Sequence, residues 1–472
     1  MSEKIIVIGA GSNGLACAHL VRKAGRDVLV LDKRERPGED IESGAVLPEV
    51  AAGLGLNGTL RVELPDPWVT TRSDAGVLEL FQDPRRSAES IRKLSGRDAE
   101  RWPAFCDRMH KLALVLGALS VLPAPDIMST SPGELLSLAK LGLKARGFGR
   151  DVMIDLLRAL PMPVADLLDE WFESQPLKAV LAAAGVMHQS HGPRSGGTTY
   201  IMLHHHIGCP PGVFRQPRTN MRSLLATGVR WATRVERITV KAGRVTGVVA
   251  GGAHLPADVV VSGADPRATF IDLLEPGNLA PEFSLAVRNI RCRGVAARVT
   301  IELDAPAAFG TIFEGASLDH LERAYDATKY GRMSDRPWVE ARAEGTRVEA
   351  LVQYVPVNTR DWNDAAREQI GRHVLSALEQ HQPGIGSSVK QVAVTAPSDL
   401  ATQGLTEGQP YHAELGLDQI LFMRPVAGWS RYRTPVEGLY LCGAGTHPGG
   451  ALAGASGWLA ATEILKGGRR ET

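Results

Sequence analysis

The stretch KIIVIGAGSNGLACAHLVRKAGRDVLVLD, which runs from Lys4 to Asp32, decides the fold of this chain. Its first residues, KIIVIGA, form the continuous apolar run expected of a strand that is buried on both faces of a parallel sheet. The apolar residues of NGLACAHLVRKAG then recur at helical spacing, and Gly25 ends the helix. DVLVLD is a second buried strand, so the whole stretch predicts a compact β-α-β unit.

Gly9, Gly11 and Gly14 form a G-x-G-x-x-G motif between the first strand and the helix. The first glycine permits a tight turn, the second lets the backbone approach a pyrophosphate, and the third lets helix and strand pack closely. Asp32 ends the second strand 18 residues after Gly14, where its carboxylate can accept hydrogen bonds from an adenosine ribose. The motif predicts a dinucleotide site and suits NAD and FAD equally.

The end of the chain, LYLCGAGTHPGGALAGASG from Leu439 to Gly457, repeats this logic. A strand leads into Gly443, Ala444 and Gly445, and a second glycine run opens the last helix. The N-terminus of such a helix can lie against the ribityl chain and ring system of a flavin. NAD enzymes have no need of this element, so it favours FAD.

The segments between these two ends differ in character. Residues 85–184 have long helical patterns, whereas residues 229–265 are typical of short strands that end in the buried strand DVVVSGA. We therefore predict an α/β fold in which a Rossmann-type FAD-binding domain is assembled from separated segments, with an interleaved α+β substrate domain. The predicted limits are 1–75, 205–282 and 399–472 for the FAD-binding domain, and 76–204 and 283–398 for the substrate domain.

Composition excludes several classes of protein. A chain of 472 residues is too long for one core, and a net charge of +1 gives no reason to expect a nucleic acid partner. The five cysteines are scattered and include no C-x-x-C pair, which argues against a disulfide framework, a zinc site or a dithiol redox centre.

The longest apolar stretch, Leu112 to Leu122, is too short for a bilayer, which needs about 20 residues. A strand that begins by Lys4 leaves no room for a signal peptide, so we expect a cytoplasmic protein. The segment KLGLKARGFGRD places Lys140, Lys144, Arg146 and Arg150 along an apolar stretch. It predicts either a solvated face, the more usual case, or peripheral contact with an anionic membrane.

Several stretches are specific enough to indicate a family: IVIGAGSNGL, LPMPVADLLDEWFES, TTYIMLHHHIG, VVSGADP, YHAELGLDQ and YRTPVEGLYLCGAGTHPGG. Together they resemble the phytoene desaturase-like FAD-dependent oxidoreductase family, in its bacterial branch, over essentially the whole chain. The resemblance implies one non-covalently bound FAD beside a hydrophobic tunnel. The best-known members of that family desaturate, saturate or isomerise polyenes.

The resemblance also implies which residues bind the cofactor. In the N-terminal half these are Gly9, Gly11, Gly14, Asp32 and Gly38. Val235 matches the strand residue that meets the adenine through its backbone. Gly443, Ala444, Gly445, Gly449, Gly450 and Leu452 match the C-terminal segment that faces the flavin.

The chain departs from the family pattern at three places. Glu39 stands where a second glycine follows Arg-Pro-Gly, and residues 219–221 are Thr-Asn-Met where the family has Gly-Gly-Met. Trp458 and Leu459 replace polar residues in the last helix. These departures motivate an alternative function, that of a binding or scaffold protein that retains the fold without flavin chemistry.

Histidines are the candidate reactive groups. His204 and His205 match a family pair and are predicted to line the substrate site. We predict no metal site, because three adjacent histidines cannot all face one ion from a helix or strand. His447, within the flavin-facing turn, is the first candidate for proton transfer, and His412 is the second.

We therefore predict an FAD-dependent oxidoreductase acting on C–C or C=C bonds of a small hydrophobic, isoprenoid- or lipid-like substrate, by desaturation, saturation or isomerisation. A hydride would pass between a substrate carbon and the flavin, and a proton would move through His447, His412 or solvent. A flavin amine oxidase ranks third, after the scaffold. Amine oxidases usually need a pair of aromatic side chains around the amine, and only Trp458 lies in the C-terminal motif.

Overall fold

A computed structural model describes residues 3–35, 42–125, 142, 147–358 and 362–467. Two residues of the dinucleotide prediction, Gly38 and Glu39, lie outside the described residues. So do Lys140, Lys144 and Arg146 of the basic segment.

The secondary structure alternates between the two ends of the chain and a long middle region. The strands are β1 (Lys4–Ile8), β2 (Asp27–Leu31), β3 (Glu42–Ser43), β4 (Val62–Glu63), β5 (Val69–Ser73), β6 (Gly76–Leu80), β7 (Arg218–Thr219), β8 (Val229–Arg230), β9 (Val235–Lys241), β10 (Arg244–Ala250), β11 (Ala253–Pro256), β12 (Val259–Ser262), β13 (Ala296–Leu303), β14 (Thr311–Glu314), β15 (Val339–Glu344), β16 (Arg347–Gln353), β17 (Val389–Thr395) and β18 (Leu439–Leu441). The α-helices are α1 (Ser12–Lys23), α2 (Pro48–Leu54), α3 (Pro84–Arg92), α4 (Gly96–Ser120), α5 (Arg150–Ala159), α6 (Val164–Trp171), α7 (Gln175–Val186), α8 (Thr198–His206), α9 (Met221–Leu225), α10 (Pro281–Arg288), α11 (Leu318–Thr328), α12 (Asp364–His381), α13 (Pro397–Thr402) and α14 (Ala455–Gly467).

A five-stranded parallel sheet, in the order β18-β12-β1-β2-β8, forms the dinucleotide-binding half. Its strands come from both ends and the middle of the chain. Strand β1 lies at the centre, where Ile6 pairs with Val260 on one side and Leu29 on the other. Both of its faces are covered, which explains its continuous apolar run. The predicted α/β fold, with a Rossmann-type domain assembled from separated segments, is confirmed.

A seven-stranded mixed sheet, in the order β17-β13-β16-β15-β14-β5-β6, forms the second half. Helix α12 covers one face of it, where Ile370 and Val374 join a core with Val299 and Val352. Strands β5 and β6 pair with each other within this sheet, and the limit predicted at residue 75 passes between them. The domain limits themselves stay a prediction.

Helices α4 to α8 form an apolar layer beside both sheets. At its centre the Phe105 and Phe172 rings meet edge to face, with centroids 4.9 Å apart. Every residue of α8 is buried, including its three histidines, so this helix is held within the protein on all sides. Among the described residues, no helix is both long and apolar enough to cross a membrane.

Helices α1 and α14, from opposite ends of the chain, cross in close contact. A Cβ at position 457 would overlap the backbone carbonyl of Asn13, so only glycine fits this crossing. The Gly457 N–H also faces the Asn13 side chain, with its nitrogen 3.4 Å from Oδ1. The contact brings the N-terminal ends of the two helices together at the carboxyl edge of the parallel sheet.

We predict that Gly457→Ala destabilises the protein, because the added methyl group must push two helix backbones apart. Forcing extra volume into a packed contact costs about 1–3 kcal/mol. The free energy of unfolding, measured by urea titration, checks this. Gly96→Ala is the matched control, since a Cβ at the start of α4 meets nothing within 4 Å. Equal stability of Gly457→Ala and the control would contradict the close crossing.

Candidate active site

The glycine motif forms the turn between β1 and α1 as expected. Gly9 has a φ of +93°, a conformation that favours glycine, and a Cβ on Gly14 would overlap the Gly9 carbonyl oxygen. Gly11 is different, because its backbone is extended (φ −74°) and a Cβ there would meet nothing within 4 Å. Glycine at position 11 therefore leaves open space at the N-terminus of α1, as a phosphate-binding turn requires.

Asp32 lies at the end of β2 and faces the glycine turn. Its carboxylate accepts a hydrogen bond from the Ala10 N–H at 2.6 Å and bonds from both the backbone and the guanidinium of Arg34. Burial acts to raise the pKa of Asp32, but these hydrogen bonds outweigh it and hold the pKa below its ordinary value. Asp32 therefore stays ionised and rigidly placed.

Val235, at the start of β9, lies close to Asp32 along the backbone. The Thr233 N–H donates to the Asp32 carbonyl at 2.8 Å, and the Ala232 N–H donates to the Arg34 carbonyl at 2.7 Å. The strand that follows is thereby anchored beside the end of β2. This placement suits the backbone contact with an adenine that the sequence predicts for Val235.

A carboxylate does enter the surroundings of the glycine turn, and it belongs to Glu42. Its Oε2 lies 3.5 Å from the Ser12 hydroxyl oxygen at the start of α1, and its other oxygen forms an ion pair with Arg222. Burial raises the pKa of Glu42 above its ordinary value, although Arg222 and Arg34 oppose the shift. Sequence reasoning missed this pair, because its two members are 180 residues apart.

The departure at Thr219-Asn220 is accommodated by local structure. Thr219 belongs to β7, which pairs with both β3 and β4 in a small antiparallel sheet. The Asn220 side chain accepts a hydrogen bond from the Arg61 N–H at 2.8 Å, and its own φ of −91° needs no glycine. Both residues are therefore part of the scaffold around the site.

Trp458 and Leu459 are packing groups. Glycine at position 53 of α2 leaves room for the Trp458 indole, because a Cβ there would overlap the ring. Leu459 is buried in the core between the two helices. These side chains hold α14 against α2, which accounts for apolar residues where polar ones were expected.

The C-terminal segment forms a tight turn between β18 and α14. Gly449 and Gly450 both have positive φ, at +79° and +61°. The turn is tied to the N-terminal part of the chain, since the Ala45 N–H donates to the Ala451 carbonyl and the Ala453 N–H donates to the Ala45 carbonyl. Leu452, between them, is buried. We call residues 443–452 the C-terminal turn.

Two of the predicted histidines contact this turn. A Cβ on Gly443 would lie 3.0 Å from His412 Nδ1, and a Cβ on Gly450 would overlap the His204 ring. His412 is held in a left-handed conformation (φ +59°), which is costly for a residue other than glycine. The structure therefore brings His204 and His412 together at the two ends of the turn.

His447 is part of the turn itself, and its ring points to the end of α4. Its Nε2 lies 3.1 Å from the Leu122 carbonyl oxygen and 3.4 Å from that of Leu119. Because carbonyl oxygens only accept, Nε2 carries the hydrogen and Nδ1 is the basic nitrogen. Nδ1 is buried and has no hydrogen-bond partner among the described residues.

His205 lies one layer further from the turn. Its Nδ1–H donates to the Ala184 carbonyl at 2.6 Å, and its Nε2 accepts from the Tyr411 hydroxyl at 2.8 Å. Both ring nitrogens are satisfied by the protein. This arrangement gives His205 a structural position, and its predicted substrate-lining role stays a prediction.

The site histidines are neutral at physiological pH. Burial lowers the pKa of His204 to about 3 and that of His447 to about 4, and it also lowers the pKa of His412. The nearby positive charge of Arg424 lowers all three further. In this state each ring can accept a proton from one nitrogen while the other donates.

Arg424 is a fully buried cation that sequence reasoning missed. Its guanidinium donates only to backbone carbonyls, at 2.7–3.3 Å. The accepting carbonyls belong to Tyr411, Ala413, Glu414, Gln419 and Ala444. It thus joins the C-terminal turn to the loop that carries His412. Nothing around it in sequence marks it as buried.

Two thiols also meet in the fold. Cys17 of α1 and Cys442, which follows β18, are both buried, and a hydrogen bond to Cys442 together with burial raises the pKa of Cys17 well above its ordinary value. A raised pKa makes a thiol a poor nucleophile. Sequence spacing did not reveal the pair. Among the described residues, no group of three or more His, Cys, Asp or Glu side chains is arranged to hold a metal ion.

The residues present fit the FAD that the sequence resemblance implies. The open face at Gly11 and the converging N-termini of α1 and α14 suit an anionic diphosphate. Asp32 and the start of β9 suit the adenosine part. The buried, unpartnered Nδ1 atoms of His412 and His447 lie beside or within the C-terminal turn, where a polar ring system could meet them.

Comparison with known proteins agrees with this geometry. A profile of flavin-containing amine oxidoreductases matches residues 176–465, and a profile of NAD(P)-binding Rossmann-like domains matches residues 7–83. The rat protein called pyridine nucleotide-disulfide oxidoreductase domain-containing protein 2 is 29% identical, over 98% of this chain and 93% of its own length. A hydroxyneurosporene desaturase of Cereibacter sphaeroides is 26% identical, over 98% and 97%.

Among solved structures, the cyclohexylamine oxidase of Brevibacterium oxydans superposes with a TM-score of 0.56 at 15% identity, over 99% of both chains. This likeness supports the fold alone. The resemblance to phytoene desaturase-like flavoproteins and the FAD cofactor, both predicted from sequence, are confirmed by these comparisons.

We predict that Gly11→Ala folds normally but loses FAD. The methyl group enters open space, so the melting temperature of the cofactor-free protein should be unchanged, while the rise in melting temperature on adding FAD should largely disappear. Gly310→Ala, where a Cβ also meets nothing within 4 Å, is the matched control and should keep that rise. A normal FAD response of Gly11→Ala would place the diphosphate elsewhere.

We also predict that acid destabilises the protein between pH 6.5 and about 4. An unfolded histidine binds its proton near pH 6.5, at about its ordinary pKa, whereas burial lowers the pKa of His206 to about 4. In this window the unfolded state holds more protons, so the free energy of unfolding falls as the pH is lowered.

In His206→Asn this fall should be shallower by up to one proton, or about 1.4 kcal/mol per pH unit. The asparagine amide can still donate to the Val213 carbonyl that His206 Nδ1–H contacts at 2.6 Å. The exposed His254→Asn should leave the pH dependence unchanged. Denaturant titrations at several pH values test both, and equal slopes in all three proteins would refute the assignment.

Proposed function

The chain belongs to the flavin-containing amine oxidoreductase family, and from this premise we propose that it transfers hydride between FAD and C–C or C=C bonds of a small hydrophobic, isoprenoid- or lipid-like substrate. The relatives over nearly the whole chain favour this class of substrate. They include two hydroxyneurosporene desaturases, several phytoene desaturases or dehydrogenases and a limonene dehydrogenase subunit.

The observation that carries the proposal is the charge around the C-terminal turn. The groups described there are neutral imidazoles and one buried cation, Arg424. The buried carboxylate of Glu414, in the same loop, already accepts two hydrogen bonds from Arg293. A positive interior repels a protonated amine and tolerates an uncharged alkene.

The neutral histidines suit the proton that accompanies hydride transfer. When bound, FAD supplies the hydride acceptor or donor. Desaturation also removes a proton from the neighbouring carbon, and His447 Nδ1 is a buried base without a partner among the described residues. We propose His447 as the first proton acceptor and His412 as the second.

The test is to incubate the FAD-loaded protein without oxygen with apolar isoprenoid alkenes and, separately, with alkylamines. We expect bleaching of the visible flavin band, or product formation detected by mass spectrometry, with an isoprenoid and none with amines. Bleaching by amines, with peroxide release in air, would replace the proposal by an amine oxidase.

The His447→Asn variant tests the proton route. An amide keeps a donor for the Leu122 carbonyl but offers no base, so the rate of bleaching should fall by a factor of about 10²–10⁴. His254→Asn, an exposed substitution, is the control. A protein that takes up no FAD at all would instead favour a scaffold.

A further inference from the structure

Arg424 carries a charge that no carboxylate among the described residues balances. It is 1% exposed, and its Nε and both terminal nitrogens donate to backbone carbonyls alone. Carbonyl dipoles satisfy the hydrogen-bonding needs of a guanidinium, yet they contribute no net negative charge. Other buried cations in this protein do have such a partner, as Arg215 has Glu340 at 2.7 Å and Lys178 has Asp169 at 2.7 Å.

An isolated buried charge is expensive, and buried charges in proteins are normally paired or meet a ligand. The free energy spent on keeping Arg424 inside suggests that an anion is present there in part of the working cycle. Glu414 is the nearest carboxylate in the chain, and its side chain is occupied by Arg293. The missing anion therefore has to come from outside the chain.

The position of Arg424 indicates which ligand this is. Two of its nitrogens donate to the Ala444 carbonyl, and a Cβ at position 449 would overlap its guanidinium. The charge lies directly behind the C-terminal turn, which matches the flavin-facing segment of the family. Its field also reaches His204, His412 and His447, the histidines of that turn.

We propose that Arg424 is the fixed counter-charge for the reduced flavin and that it raises the cofactor's reduction potential. Addition of a hydride to the neutral oxidised ring system forms one N–H bond and leaves the ring with one negative charge. The electron pair comes from the broken C–H bond of the substrate, whose proton leaves separately. A nearby positive charge favours the charged, reduced side of this equilibrium.

The inference rests on FAD as the cofactor but not on the identity of the substrate. Reduction potentials are measured with a chemical reductant and reference dyes, without substrate. A wrong substrate class would therefore leave the measured potentials and this inference intact, whereas the substrate screen does not report on Arg424.

The experiment compares Arg424→Gln, Arg424→Lys and the wild-type protein. We expect Arg424→Gln to shift the reduction equilibrium at least tenfold toward the oxidised form, which is about 30 mV for a two-electron couple. Arg424→Lys keeps the charge but loses most of the carbonyl contacts, so its equilibrium should stay within about threefold of wild type. Arg291→Gln, which removes an arginine paired with Asp418 in the same region, is the control and should not shift it.

The lysine variant separates charge from architecture. If Arg424 only clamps the turn, both variants should lose thermal stability and FAD affinity together, and their potentials should shift equally or not at all. Either of those potential patterns would overturn the proposal.

A measurement on the wild-type protein keeps the test decisive if Arg424→Gln fails to fold. Sulfite adds to an oxidised flavin ring and leaves it negatively charged, so a fixed positive charge should favour the adduct. We expect wild-type protein to bleach reversibly with millimolar sulfite. Absence of an adduct at that concentration would overturn the proposed role of Arg424.

Discussion

The contact between Gly457 and the backbone of Asn13 holds the two ends of the chain together, and the rest of the site is built around it. Because the helices cross without side chains between them, the N-terminal ends of α1 and α14 face one region. Ala45, bonded to both Ala451 and Ala453, fixes the C-terminal turn beside the glycine turn. Free N–H groups of two helices then serve one anionic ligand.

This construction makes the site a product of the whole fold. Strand β1 pairs with β12 and β12 with β18, so the C-terminal turn reaches its place only when residues from both ends and the middle share one sheet. Within that frame the interior polar groups are sorted by charge. The histidines stay neutral because burial and Arg424 both oppose their protonation, and the one cation is held by carbonyls.

Local features of the sequence could be predicted well. Gly9, Gly11 and Gly14 act through their own backbone, so a short motif was sufficient to identify the turn and the strands around it. Contacts between distant segments could not be predicted in this way. The Arg222–Glu42 pair, the Cys17–Cys442 contact and the packing of Trp458 on Gly53 each join residues whose proximity only the sheet order creates.

The histidines show the same limit within one motif. His447 lies in the predicted turn, yet its ring direction is set by carbonyls at the end of α4, over 300 residues away. His204 and His205 are neighbours in sequence, but their rings lie in different layers because successive residues of a helix point in directions about 100° apart. A family match identifies such positions without saying which ring nitrogen is free.

The proposed substrate class and the proposed role of Arg424 depend on each other through water. The attraction between two charges varies inversely with the effective dielectric constant, which is about 80 in water and about 20 near a protein surface. An apolar substrate that displaces water from the C-terminal turn would strengthen the field of Arg424 up to about fourfold as the ring becomes charged. A polar substrate that brought water with it would forfeit part of that gain. A buried cation held by carbonyls, with neutral bases around it, therefore suits hydride removal from a molecule that offers no charge of its own.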